Sequence, residues 1–331
     1  MAIEVFQYTE EMKRVWDRFV WNSNNGTLFH TRQFLNYHPP GRYKDHSLLF
    51  KEKGCIVAVL PAAFKTVDAR KILYSHCGAS YGGFVYREDL PVCSAFDLVK
   101  VLLAHLKEEK IERVEMTLPP VVYHARPSHY VDFALYKSGF SYKKREVSSI
   151  IPLDFSADQI LEKFKPEART AYRKSLKSGI RVVESEDVES FYSILKKNLS
   201  MRHNVKPTHT LEELKRLKAL FPERIRHFGA FLENRMVAGV TNFICNDRVV
   251  LAFYISHDEA YQKFRPVNHL FYEIIRWAIA QGYRFLDFGI FTVDEDPNWG
   301  LAKFKESFGA RGILRDTFYR DLSESDHESI Q

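Results

Sequence analysis

One order of structural elements is written twice along this chain. Residues 48–60 read as a strand, a tight polar turn and a second strand entering through Val57-Ala58; residues 229–240 repeat the pattern, entering through Val237-Ala238. After the first hairpin, the pattern predicts a strand at 72–75, a helix at 94–109 and a strand at 112–117. After the second, it predicts a strand at 249–256, a helix at 268–281 and a strand ending at Asp287, with Asn246-Asp247 as a turn. Each half also follows a helical segment, at 9–22 and at 187–201. Hairpins alone resemble one another by chance, but agreement of the whole order points to duplication, offset by roughly 170 to 180 residues.

A chain of 331 residues is long for a single core and comfortable for two domains. With 45% hydrophobic and 27% charged residues it reads as an ordinary globular protein. The N-terminus has no basic segment followed by an apolar one, so no secretory signal is expected. Nor does any apolar run approach the roughly 20 residues needed to span a bilayer. Cys55, Cys77, Cys93 and Cys245 are scattered without paired spacing, as for thiols in a reducing compartment, so a cytoplasmic location is expected.

The segment from 282 to 309 carries the most chemistry. Residues 283–288 suit a short buried strand ending at Gly289. Asn298 is placed to cap a helix whose apolar stripe is Leu301, Phe304 and Phe308. Lys305 borders that stripe. Either its stem lies along apolar surface with the ammonium in a cleft, or it is a surface lysine of no special role.

Asp287-Phe288-Gly289, followed by Asn298, Gly300-Leu301, Phe304-Lys305 and Phe308-Gly309, resembles the C-terminal signature of FemAB-type acyltransferases. These are the peptidoglycan-bridge aminoacyltransferases and their relatives in the GNAT (Gcn5-related N-acetyltransferase) superfamily. A kinase reading of Asp-Phe-Gly fails, because no His-Arg-Asp loop or glycine-rich phosphate loop accompanies it. The resemblance implies an α/β (α+β) fold of tandem GNAT-like domains, each a mostly antiparallel mixed sheet flanked by helices. The expected division is 1–148, then 149–320 with the reaction centre, then a flexible acidic tail at 321–331, with the linker near 141–154.

Acyl transfer to an amine needs no covalent enzyme intermediate. The amine must be positioned and deprotonated, and the tetrahedral oxyanion met by donors in a dry cleft. In the FemAB family the lysine of the Phe-Lys pair is associated with that step, and the match falls on Phe304 and Lys305. Asp287, Asp294, Glu295 and Asp296 are candidate bases, the last three better read as solvated loop acids. Acetyl-coenzyme A enzymes of the superfamily hold pyrophosphate on a glycine loop at a helix N-terminus. Here Lys263-Phe264-Arg265-Pro266-Val267-Asn268 stands in its place without glycine, as in the FemAB branch. Asn268 is expected to cap the helix while Arg265 and Lys263 attract an anion.

Net charge is +6, unevenly placed: from Lys163 to Arg181 there are seven basic residues and one acid, Glu167. Pro166 and Gly179 bracket a helix on which Lys165, Arg169, Arg173 and Lys177 recur every fourth residue. Such a stripe suits phosphates of a nucleotide-linked acceptor or of a tRNA. The resemblance adds Arg202 and His203 as lining an acceptor cleft; Asn242 and Tyr254, on central strands, face either cleft or core. Thirteen histidines notwithstanding, no spacing with a third ligand suggests a metal.

The expected activity is therefore transfer of an acyl or aminoacyl group to an amine of a cell-envelope or nucleotide-linked acceptor. Acyl-CoA or aminoacyl-tRNA would serve as co-substrate, with no tightly bound cofactor. An acetyl-CoA-dependent N-acetyltransferase acting on an amino sugar or other small amine is the alternative. A non-catalytic RNA-binding protein is a third reading, disfavoured by the lack of aromatic RNP motifs. The chain also lacks the long helical hairpin that some peptidoglycan-bridge enzymes use for tRNA.

Overall fold

The computed structural model describes residues 2–203 and 206–322, without the side chains of 201–203. Internal contacts divide the described residues into two units, residues 2–146 with 314–322, and residues from 147 to 313.

In the first unit, strands Glu4–Gln7, Leu48–Glu52, Cys55–Leu60 and Val85–Tyr86 pair antiparallel in that order. Lys53 and Gly54 both take positive φ, which makes the tight turn of the hairpin a primed one matched to strand twist. A second set runs from Lys44–Asp45 through Ala63–Val67 and Arg70–Ser75 to Arg113–Thr117, the last two parallel. The helix Val92–Glu108 makes that parallel crossover, burying Leu98, Leu102 and Leu106 on one face at i, i+4, i+8.

The second unit repeats the theme with longer strands. Its order is Ile180–Glu184, Ile225–Leu232, Arg235–Ile244, Val249–His257, Phe285–Ile290, then residues 147–152. Every neighbouring pair is antiparallel except Val249–His257 with Phe285–Ile290, which the helix Pro266–Ala280 connects. That helix buries Leu270, Phe271, Ile274, Ile275 and Ala278 against Val240, Val250, Leu286 and Phe288. Each buried leucine, isoleucine, valine or phenylalanine here contributes about 1.5–3 kcal/mol.

The duplicated order is thus present, with predicted boundaries met to within a few residues. Two expectations about the division differ. The linker expected at 141–154 is instead a single strand, Ser141–Pro152, of which Ser148, Ile150, Ile151 and Pro152 pair with Phe285–Ile290. Residues 314–320, expected with the second domain, group with the first unit, where Thr317–Asp321 pair with Arg113–Thr117. Residues 323–331 of the expected acidic tail lie outside the described residues.

Candidate active site

Two features of the second unit open a cleft. Pairing between the parallel strands stops at Leu251↔Asp287, although both continue. A bulge at Thr241/Asn242 also inserts Phe253 as an extra residue and bends the central strand. Beyond that point a cavity of about 590 Å³ lies among Ile255–His257, the start of Pro266–Ala280 and the helix Trp299–Glu306, with Leu195 and Asn198 closing one side.

Asn298 caps the last helix as expected, its Oδ1 accepting from Leu301 N at 3.0 Å. The buried stripe is rotated from the one predicted: Ala302, Lys305 and Phe308 are buried, while Leu301 is exposed. Lys305 therefore sits at the centre of the inner face with 3% exposure, and is no surface lysine. Its Nζ donates to Gly289 O at 2.8 Å and to Ile290 O at 2.7 Å while lining the cleft. An ammonium has three N–H donors, so one remains for a ligand. Burial pushes the Lys305 pKa down to about 8, opposed by the Asp287 carboxylate. Phe304 lines the cleft beside it, packed edge-on to Phe308.

Asp287 does not reach the cleft. It is fully buried, taking the Ser148 hydroxyl at 2.5 Å and the Gly289 amide at 2.6 Å on one oxygen. The second bond fixes the turn at Gly289, whose φ of +72° a side chain would strain. Asp287 thus holds the carbonyls that hold Lys305.

At the other end of the cleft, Arg265 takes a left-handed φ of 58° and Pro266 opens the helix. The prediction that Asn268 caps this helix is corrected. Proline's fixed φ suits the first helical position, which puts Asn268 in the first turn, with its amide bonded to Arg265 O at 3.1 Å. Arg265 and Asn268 both line the cleft; Lys263 does not, and lies over the Phe264 ring.

Other expected site residues are elsewhere. Asn242 is completely buried on the core face, with neither amide atom partnered among the described residues. The Tyr254 hydroxyl is bound to His209, accepting its amide at 3.0 Å and meeting Nδ1 at 2.8 Å; burial raises its pKa to about 12. Lys165 pairs with Glu306 at 3.2 Å, Arg169 is half-buried, and Arg173, Lys174 and Lys177 are exposed on the basic helix Pro166–Lys177. None of these lines the cavity. Asp294, Glu295 and Asp296 form an exposed hairpin tip, the first two with positive φ. The side chains of Arg202 and His203 lie outside the described residues.

Reading the sequence missed Asn198, Ser256, His257 and Gln262. Asn198 Nδ2 donates to His257 O at 3.2 Å, tying the helix Val188–His203 to the strand end. Ser256 is buried at the cleft wall, its hydroxyl without a partner among the described residues. The only signal for these was their place at the end of a strand before a helix. Among the described residues there is no metal-binding group of acids, histidines or cysteines, and no helix long and apolar enough to cross a membrane.

A profile described as "Acetyltransferase (GNAT) domain" matches residues 162–322. No curated protein sequence matches the chain. Among solved structures, FemX is similar at 16% identity and a TM-score of 0.74, covering 99% of each chain. The C-terminal domain of a protein described as a lysylphosphatidylglycerol synthetase from Agrobacterium fabrum is similar at 10% identity and a TM-score of 0.61, covering 94% of this chain and 92% of the other. A tandem GNAT protein from the clavulanic acid pathway is similar at 9% identity and 0.57, covering 98% and 100%. At such identities the likeness establishes the fold.

Proposed function

We propose, from the premise that residues 162–322 form a GNAT-type N-acyltransferase domain in a FemX-like tandem fold, that the cleft of the second unit is where transfer occurs. The reaction moves an acyl or aminoacyl group onto an amine of a cell-envelope or nucleotide-linked acceptor. One observation carries this reading: a buried lysine with two N–H donors fixed on carbonyls and the third available at the cleft wall.

The acceptor nitrogen attacks the acyl carbon, and negative charge develops on the acyl oxygen. Lys305 meets that charge from a preorganised position, in a setting where water competes little. Collapse expels the thiolate or ribose oxygen, and the amine loses its proton. Asp287 acts through Lys305, since a buried carboxylate nearby favours the ammonium. The exposed Arg173, Lys174 and Lys177 support an acceptor or carrier bearing phosphates. The name of one similar structure, a lysylphosphatidylglycerol synthetase, supports an envelope acceptor. That no disulfide joins Cys55, Cys77, Cys93 or Cys245 among the described residues supports a cytoplasmic location.

Comparing Lys305→Met with Lys303→Met in single-turnover transfer tests the proposal. Lys303 is exposed and should matter little. Loss of an oxyanion donor costs about 100- to 1,000-fold in rate. Because Lys305 also bonds two carbonyls, melting temperatures are read alongside; a folded Lys305→Met protein that turns over normally sinks the assignment.

A further inference from the structure

Six aromatic side chains are exposed among the described residues: Phe6, Tyr130, Phe133, Tyr136, Tyr142 and Trp299. Four of them lie between 130 and 142, in the first unit. Tyr130, Phe133 and Tyr136 stand on the helix Tyr130–Lys137, at 48%, 51% and 59% exposure. Their i, i+3, i+6 spacing puts them on an arc of about 120°, with Lys137 inside it. The opposite arc, Val131, Ala134 and Leu135, is buried in the first unit's core. Tyr142, at the start of the next strand, lies near enough to Tyr136 for the two hydroxyls to interact electrostatically. Exposed apolar groups scattered singly need no explanation, but a gathered face does.

The same segment is basic. Residues 126–145 carry Arg126, Lys137, Lys143, Lys144 and Arg145 against one acid, Asp132, whereas the whole chain has 48 basic residues to 42 acidic. Asp132 lies 3.4 Å from His129 Nδ1. The acids that reach the segment from elsewhere are also held: Glu88 by Arg126, Glu115 by Lys143 at 2.6 Å, and Asp316 by Arg145 at 3.0 Å. Lys137 has no acid partner among the described residues.

Three kinds of occupant suit an aromatic and basic face, and the geometry separates them. A nucleic-acid strand stacks its bases on bare ring faces. Here Arg145 lies over the Tyr142 ring at 4.3 Å, and Phe318 and Phe96 pack against Tyr142 and Phe133 at 4.7 and 5.8 Å. A second copy meeting this face across a two-fold axis would bring two basic segments together. A bilayer surface needs neither. Tyrosine rings, apolar with a polar tip, sit at headgroup depth, and basic side chains beside them meet anionic phosphates.

We propose that the helix Tyr130–Lys137 and the start of the strand Ser141–Pro152 dock on an anionic lipid surface. The rings enter the headgroup layer, and Lys137, Lys143 and Lys144 face the lipid phosphates. The proposal is independent of the transfer reading, because none of these residues lines the cleft.

Cosedimentation of the full chain with vesicles tests it, using phosphatidylcholine alone and an equal mixture of phosphatidylcholine and phosphatidylglycerol. The mixture should bind at least about ten-fold tighter than the neutral lipid, and salt should weaken that binding. Tyr130→Ser with Tyr136→Ser should weaken binding about ten-fold, and Lys137→Glu several-fold. Melting temperatures should barely move, since all three side chains are exposed. Changing Arg173, Lys174 and Lys177 to Gln should leave most of the binding in place. Loss of binding there, with the tyrosine variant still bound, would put the lipid contact on the basic helix and overturn the proposal. A parent chain that stays in the supernatant with both vesicles overturns it too. So does a concentration-dependent dimer, or binding of oligouridylate, that the tyrosine substitutions abolish while vesicle binding persists; the face would then belong to a second copy or to RNA.

Discussion

The Ser148 hydroxyl donates to the Asp287 carboxylate at 2.5 Å, joining two strands beneath the cleft at a point where no water enters. A carboxylate so placed can act on chemistry only through the lysine it favours. Asp287→Asn keeps the shape and removes the charge, so the pH above which turnover fails should move to lower values. A kcat–pH profile with its basic limb unmoved, but activity lost uniformly, would mark Asp287 as the proton acceptor instead.

Lys305 makes two pH predictions of opposite sign. Its charge is needed for catalysis, so kcat should fall as pH rises through about 8, and Lys305→Arg should abolish that limb, since arginine stays protonated. Stability should move the other way. With the folded pKa at about 8 and the ordinary value 10.5, the charged form is the costly one to bury, so the unfolding free energy should rise between those values. Chemical denaturation across that range reads the second effect without any substrate.

His227 predicts acid sensitivity of the second unit. It is fully buried on its strand against the Phe191 ring, with Nδ1 on Thr241 and Nε2 unpartnered among the described residues, and burial lowers its pKa from 6.5 to about 4. Its contribution is complete above pH 6.5 and is lost as pH falls toward 4, because only the unfolded chain accepts the proton freely there. The loss is on the order of 2–3 kcal/mol for this group. His30 and His76 do the same in the first unit. Melting temperatures of His227→Gln and the parent should converge as pH drops from 7 to 4; parallel curves would contradict the assignment.

The basic helix predicts a binding effect without a folding effect. Arg173, Lys174 and Lys177 are exposed, so changing all three to Gln should leave the melting temperature nearly unmoved. If the helix attracts phosphates, KM for a phosphate-bearing substrate should rise several-fold at low salt, and the difference should shrink as salt screens it, with kcat unchanged. Identical KM values at low salt would make the stripe a solvated face.

What the chain by itself determined is the local part of the account. Hairpin turns such as Lys53-Gly54, the proline that opens Pro166–Lys177, the Gly179 that stops it and the Asn298 cap are set by φ preferences and by bonds spanning three or four residues. They stand where spacing put them, and the duplicated order follows from them. What only tertiary structure decided depends on pairing across long separations. Spacing placed Lys305 at the edge of an apolar stripe. The Gly289 and Ile290 carbonyls, on a strand end held by Asp287 and Ser148, turned it to the centre of a buried face. Asn242 and Tyr254 sit on the same pair of strands, and a single bulged residue between them determines which face each side chain takes. Ser256 and His257 became cleft residues because strand pairing stops at Leu251↔Asp287. That event belongs to two segments more than thirty residues apart, and no window along the chain contains both.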